Sequence, residues 1–233
     1  MSELAEAAGA PLRLPQVIAV DGPSASGKGT LSRRLATALG YVYVDSGAMY
    51  RTLAWWAIQK NLHCEKPMAP ADEDAIVSLM RRWKAEMRLV DGQAWLHVNG
   101  YFPAKEIRTD VVERSVPVVA QIGRVRDWMV ARQRECVHFG PLVMEGRDIG
   151  TEVVPLAPVK FFLEADEVVR QARMAERGNA GSNAAMRDSM DTTRKQGALY
   201  AALDSIRVNN TGQTPDQTFA ILMGHVRARL GTP

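Results

Sequence analysis

Cysteine is scarce in this chain, with only Cys64 and Cys136 among 233 residues and no C-x-x-C pair. That excludes a disulfide framework and a thiolate metal site as organising devices. Histidine is almost as sparse, and its four residues show no metal-ligand spacing, so zinc chemistry has no ligand set. Long apolar runs are missing too. No stretch approaches the ~18 residues that a spanning helix needs, and residues 1–15 have neither the basic start nor the apolar centre of a secretory signal. They read as a loose Ala/Glu/Pro tail, and a reducing cytoplasm is the expected compartment. The chain also lacks a block of one charge. Its net charge is +3, but Lys and Arg are dispersed, so neither a nucleic-acid nor a membrane partner is expected. A small anionic substrate needs only a few arginines that converge in space. A monomer is the expected state.

What is present is the composition of a globular protein, 46% hydrophobic and 24% charged, enough for one compact core with insertions. Residues 16–20 form a short apolar, β-branched run that predicts a buried parallel strand. Apolar residues at 31, 35, 38 and 39 fall on one helical face before Gly40. A second strand over 41–44 and a helix over about 47–61 continue a β/α alternation that calls for a parallel sheet.

Between the first strand and the first helix lies Gly22-Pro23-Ser24-Ala25-Ser26-Gly27-Lys28-Gly29-Thr30, with the spacing G-x-x-x-x-G-K. In that setting the motif reads as a phosphate-binding loop. Its glycines let successive N–H groups face phosphate oxygens, the helix N-terminus adds positive potential, and Lys28 can bridge the β- and γ-phosphates.

The middle of the chain changes texture. A helix is expected from about Asp72, followed by short strands over 86–90, 94–98 and 101–102 joined by Asp91-Gly92 and Asn99-Gly100 turns. Helices return over about 109–139, broken near Pro117 and Gly123, and core strands are expected over 141–145 and 159–163. Residues 177–183 are polar and glycine-rich, as a flap would be. Residues 206–208 suit a final strand, and Thr214-Pro215-Asp216-Gln217 predicts a capped closing helix to about Leu230. Trp55, Trp56, Trp83 and Trp128 are expected to pack rather than to stack on bases.

Phosphoryl transfer asks for positioning and for cations where charge develops, and arginine grips phosphate through two bonds at once. Four arginine settings stand out: Asp45-Ser46-Gly47-Ala48-Met49-Tyr50-Arg51; Glu106-Ile107-Arg108-Thr109; Glu145-Gly146-Arg147-Asp148-Ile149-Gly150 at a core-strand end; and Arg187-Asp188, Asp191 and Arg194 at helical spacing. Each alone fits an ordinary surface pair or helix start.

Together, in this order, these motifs resemble the bacterial cytidylate kinases over roughly residues 16–230. The resemblance implies a P-loop three-layer α/β/α fold with a central parallel sheet, a nucleoside-monophosphate-binding insert over about 63–108, and a short lid over about 177–194, all within residues 16–233. It implies transfer of the ATP γ-phosphoryl group to CMP or dCMP with Mg²⁺, although relatives with UMP or AMP as acceptor, or a non-catalytic nucleotide switch, share the donor loop. Residues 22–30 would bind ATP, while Lys28, Arg51, Arg147, Arg187 and Arg194 would serve catalysis. Arg51 and Arg147 would hold the acceptor phosphate. Ser46, Arg108, Asp148 and Arg194 would surround the cytosine, with Tyr50 nearby, and Arg187 and Asp191 would contact the sugar. An Asp148 carboxylate for the exocyclic amino group and an Arg108 guanidinium for the ring acceptors would suit cytosine, whereas uracil lacks that donor. Thr30 and Glu145 are the expected metal-side oxygens. Three departures accompany the match: Glu145 where Asp is usual, a shorter lid, and Asn209-Asn210 where an acidic residue is usual.

Overall fold

The computed structural model describes residues 16–62, 70–176 and 184–231, with the side chains of 70–71 and 184–187 excepted. The expected tail, the start of the insert and the glycine-rich half of the lid lie outside the described residues, as does the Arg187 side chain.

The β/α alternation appears as β1 (Val17–Asp21), α1 (Lys28–Leu39), β2 (Val42–Asp45) and α2 (Ser46–Gln59). After α3 (Pro70–Arg81) come β3 (Ala85–Val90) and β4 (Gln93–Val98), then α4 (Asp110–Val119), α5 (Gly123–Glu135), β5 (Leu142–Glu145) and β6 (Val159–Glu164). The chain ends with α6 (Glu167–Glu176), α7 (Ala184–Thr192), β7 (Ile206–Asn209) and α8 (Pro215–Leu230). Seven strands form one sheet in the order β3-β4-β2-β5-β1-β6-β7. Only the β3–β4 pair is antiparallel. The hairpin expected within the insert therefore extends the main sheet through β4 beside β2, and Tyr101 adds only a single bridge to Val98.

Strand alternation divides the core. Ile18, Val20, Tyr43 and Val143 face Leu31 and Leu35 of α1 and Leu222 and Val226 of α8. Val17, Ala19, Val44, Leu142 and Met144 face the other way, toward Cys136, Ile149 and Val153. The period-2 geometry of a strand buried on both faces gives this three-layer sandwich, and near-continuous apolar runs are its signature. A further cluster joins α2, α3, α4 and α5, against which the four tryptophans pack as expected. At α8, Thr214 Oγ1 accepts from the Gln217 N–H at 3.2 Å and Gln217 Oε1 accepts from the Thr214 N–H at 2.9 Å, forming the predicted capping box.

Candidate active site

Three neighbouring parallel strands end in carboxylates at the same edge: Asp21 on β1, Asp45 on β2 and Glu145 on β5. That C-terminal edge is where open α/β sheets collect ligands. Asp21 accepts from the N–H groups of Ile149 and Gly150 at 2.8 and 2.7 Å, and so fixes the turn that follows Arg147 and Asp148. Burial pushes its pKa up to about 6 against the pull of those two bonds. Asp45 caps α2 through the Ala48 N–H at 2.9 Å and accepts from Arg51 at 2.7 Å. Burial alone would raise Asp45, yet Arg51, the Ala48 N–H and Arg108 together hold it below the ordinary range. Glu145 accepts from the Tyr43 hydroxyl at 2.5 Å, and burial followed by the charge of Asp45 pushes its pKa up. A Cβ at position 29 would lie 2.9 Å from Glu145 Oε1. The longer acid at 145 and the glycine at 29 therefore fit one another.

The phosphate loop faces this edge. Gly27 is left-handed (φ +94°) where α1 begins, which leaves the first helical N–H groups pointing outward. Lys28 is buried, its Nζ donating to the Pro23 carbonyl at 2.6 Å. Burial and the charge of Arg147 push its pKa down to about 7. The N–H of Ser24 donates to Asp188 Oδ1 at 2.9 Å, so a carboxylate from α7 occupies one of the loop's anion-binding donors. Asn210 holds the loop from below. Its side-chain amide donates to the Ser26 carbonyl at 2.7 Å and accepts from Arg173 at 3.0 Å. Arg170 donates to the Ser24 carbonyl at 3.2 Å and pairs with Asp188.

Around a cavity of about 780 Å³ the arginine settings converge. Arg147 donates to Asp191 at 2.7 Å and to Ser24 Oγ at 3.0 Å, linking α7 to the phosphate loop. Arg194 pairs with the same Asp191. Burial would raise Asp191, but Arg147 and Arg194 outweigh it and keep the carboxyl below its ordinary pKa. Ser46, Tyr50, Arg51 and Thr30 line the same cavity. Arg108 is exposed and stands 3.9 Å from Asp45, beside Arg51. Arg108 and Asp148 both line the cavity. The guanidinium that meets Asp148 belongs to Arg126, which is 1% exposed and donates from its other arm to the Tyr50 hydroxyl at 3.3 Å. Burial pushes the Asp148 pKa up, and Arg126 and Arg194 oppose it. Among the described residues, the Nε atoms of Arg51, Arg126 and Arg194 are buried and unpaired. Those of Arg51 and Arg194 belong to residues that line the cavity, and orphaned cationic donors there mark a site that an anionic, acceptor-rich ligand completes.

A profile of the cytidylate kinase family matches residues 18–228. The chain belongs to the cytidylate kinase family. Proteins named cytidylate kinase from Geobacillus thermodenitrificans and Anoxybacillus flavithermus are each 37% identical to it, over 92% and 91% of this chain and 97% and 96% of their own. One from Bacillus thuringiensis is 34% identical over 90% of this chain and 95% of its own. As a cytidylate kinase family member the chain is a nucleoside monophosphate kinase with ATP as phosphoryl donor.

Within that family frame, four residues of the site escape the motif reading. Arg126 sits near the start of α5, Arg170 and Arg173 lie on α6, and Asn210 follows β7. Ile122, Val125, Arg126, Met129 and Gln133 share one helical face and are all buried, so an arginine falls on the inward stripe of α5.

Proposed function

We propose that this cytidylate kinase family enzyme phosphorylates CMP and dCMP through a division of labour across the strand edge. Residues 22–30 hold the ATP polyphosphate, with Lys28 turning from the Pro23 carbonyl to the β- and γ-phosphates. Arg51 and Arg147 hold the acceptor phosphate, and Arg194 lies between donor and acceptor. Arg187 and Asp191 serve the sugar. The base is read by Asp148, which accepts from the exocyclic amino group, and by Arg126, which offers N–H groups to ring N3 and O2. Arg126 takes the part that the motifs alone assign to Arg108; Ser46 and Tyr50 complete the base pocket, and Arg108 stays with the phosphate side next to Asp45 and Arg51. The buried Arg126–Asp148 pair, whose carboxylate borders the cavity, is the observation that carries this reading. Uracil would set its O4 against the Asp148 carboxylate and leave that buried acceptor unpaired, which costs far more than a lost contact.

Hard oxygen donors suit magnesium, and two are available here. The Thr30 hydroxyl and the Glu145 carboxylate both border the cavity, and glycine at position 29 leaves Glu145 accessible to the loop. A magnesium ion bound with the nucleotide neutralises polyphosphate charge. The chain's own part is to position the two phosphates, supply guanidinium donors to the transferring group and exclude water. A monomer in a cytoplasmic setting goes with small nucleotide substrates. The described residues contain no helix long and apolar enough to cross a membrane.

A panel of CMP, dCMP, UMP and AMP with ATP and Mg²⁺ tests the assignment. Turnover should be fastest on the cytosine nucleotides, and a preference for UMP over CMP would overturn the role given to Asp148.

A further inference from the structure

Past α7 the chain crosses back over the base-reading pair in a strap, residues 195–199. Gln196 Nε2 donates to Asp127 Oδ1 at 2.8 Å, the Leu199 N–H donates to the Asp191 carbonyl at 2.9 Å, and Leu199 is buried. Between these anchors Gly197 adopts φ +62° and lies against the pair. A Cβ built there would overlap Nη2 and Cζ of Arg126 and Oδ2 of Asp148. Asp148 and Tyr50, the two residues to which Arg126 is bonded, border the nucleotide cavity, and Gly197 does not. The strap therefore backs the pair from outside the cavity. The overlapping atoms are side-chain ends, which a fold can displace at modest cost. Arg126, however, is enclosed and already committed to Tyr50 and Asp148, so displacement must break or re-aim the pair.

We propose that Gly197 is a specificity-determining residue: its missing side chain lets Arg126 and Asp148 sit together in the register that reads cytosine. The strap follows Arg194, just past the helix that carries Asp188 and Asp191, so the same segment that contacts the phosphate loop and Arg147 also backs the base reader. This inference rests on the assignment of Arg126 and Asp148 to the base.

The test compares Gly197→Ala with Gly40→Ala. Gly40 has nearly the same backbone conformation, φ +67°, with nothing within 4 Å of an added Cβ. The two variants therefore share the positive-φ penalty and differ in the collision. Gly197→Ala should lower kcat/KM for CMP by about 10- to 100-fold and shrink the CMP-over-UMP ratio by a similar factor, as loss of a buried hydrogen-bonding match does. The KM for ATP should stay within ~3-fold, since the collision does not touch the loop, and the melting temperature should fall below that of Gly40→Ala, since a buried ion pair is disturbed. A CMP-over-UMP ratio unchanged in Gly197→Ala would overturn the proposal. So would an equal loss toward both nucleotides. Should Gly197→Ala fail to fold, Gln196→Ala releases one strap anchor and must still lower the ratio; an unchanged ratio there also overturns it. Arg126→Met separates the two levels. Selectivity kept in Arg126→Met sinks the base-reading assignment, whereas selectivity lost there but kept in Gly197→Ala sinks this inference alone.

Discussion

Arg147→Ala offers the sharpest separation of chemistry from folding in this site. Arg147 bonds two other side chains, those of Asp191 and Ser24, and the carbonyl of its neighbour Gly146. Its removal does not strand Asp191, which keeps Arg194 as a buried partner. The structural cost is therefore that of losing contacts rather than of orphaning a charge, about 1–2 kcal/mol. In a domain of this size that lowers the melting temperature by roughly 2–8 °C. The catalytic cost is larger. Two charge-assisted bonds to the phosphate of the acceptor at about 1.5–3 kcal/mol each come to roughly 3–6 kcal/mol, or about 10²- to 10⁴-fold in rate. Because those donors act where charge shifts between the phosphates, the loss should fall on kcat more than on either KM. A coupled assay for ADP release with CMP saturating, together with a thermal melt, measures both effects. Turnover within tenfold of the unaltered protein, at an intact melting transition, would refute the placement of Arg147 on the acceptor phosphate.

Two other contacts of the loop and the cap of α8 give three more expectations. Asn210→Asp keeps the acceptor for Arg173 but replaces the donor to the Ser26 carbonyl with an oxygen; a lost buried bond of about 1–3 kcal/mol should raise the KM for ATP by roughly tenfold and leave that for CMP within about twofold, and an unmoved ATP KM would count against the loop-positioning role. Lys28, whose pKa burial and Arg147 push down to about 7, should regain its proton when a triphosphate approaches. A base whose pKa rises on binding takes up protons above its free-state value, so ATP affinity should weaken as pH climbs past 7, with about one proton taken up at pH 8. Calorimetry in Tris and in HEPES at pH 8 reads this as a buffer-dependent heat, and equal heats would contradict it. Thr214→Ala removes the capping box of α8 and should cost about 1 kcal/mol, seen as a melting temperature roughly 2–4 °C lower with kinetics unchanged.

The strands and the phosphate loop were legible because their signals are local. The stretch 17–20 is apolar throughout since both faces of β1 are covered, and the glycine spacing after it admits few other readings. Helix ends were legible where a cap carries them, as at Thr214, and blurred where tertiary contact decides, as at α2, which begins on Ser46 because Asp45 caps it. The β3–β4 hairpin was visible from its Asp91-Gly92 turn, but its attachment beside β2 was not, because parallel pairing between residues 43 and 93 leaves no local trace. Arg126 shows the limit most clearly. Six of the thirteen residues of α5 are charged, and a sequence window does not tell an arginine in water from one enclosed at the end of an apolar stripe. Asn210 was conspicuous only as a departure from the family pattern. Its value lies in reaching Ser26, 184 residues away in sequence.

The ion pairs of the site carry a consequence for how it binds. Arg51 is held by Asp45, Arg147 and Arg194 by Asp191, Arg126 by Asp148, and the Ser24 N–H by Asp188. Burying so many guanidinium groups without counter-charge would cost several kcal/mol apiece, so the carboxylates make the empty fold affordable. They also make phosphates competitors rather than newcomers. A phosphate oxygen that takes the Ser24 N–H must displace Asp188, and its charge must replace the share that Asp191 gives to Arg147. Asp188 and Asp191 belong to one helix, and both contacts lie on one face of it, at i and i+3. Displacement of one carboxylate by the donor nucleotide therefore loosens the other, next to the acceptor. Binding of ATP and of the monophosphate should in consequence be positively coupled through α7, with each substrate lowering the Kd of the other by the same factor. Asp188→Asn, which keeps an acceptor for Ser24 but surrenders the charge facing Arg170, should tighten ATP binding to the free chain and shrink that factor. An unchanged factor in this variant, measured by titrating ATP with and without saturating CMP under non-turnover conditions, would show that the helix does not couple the two halves of the site.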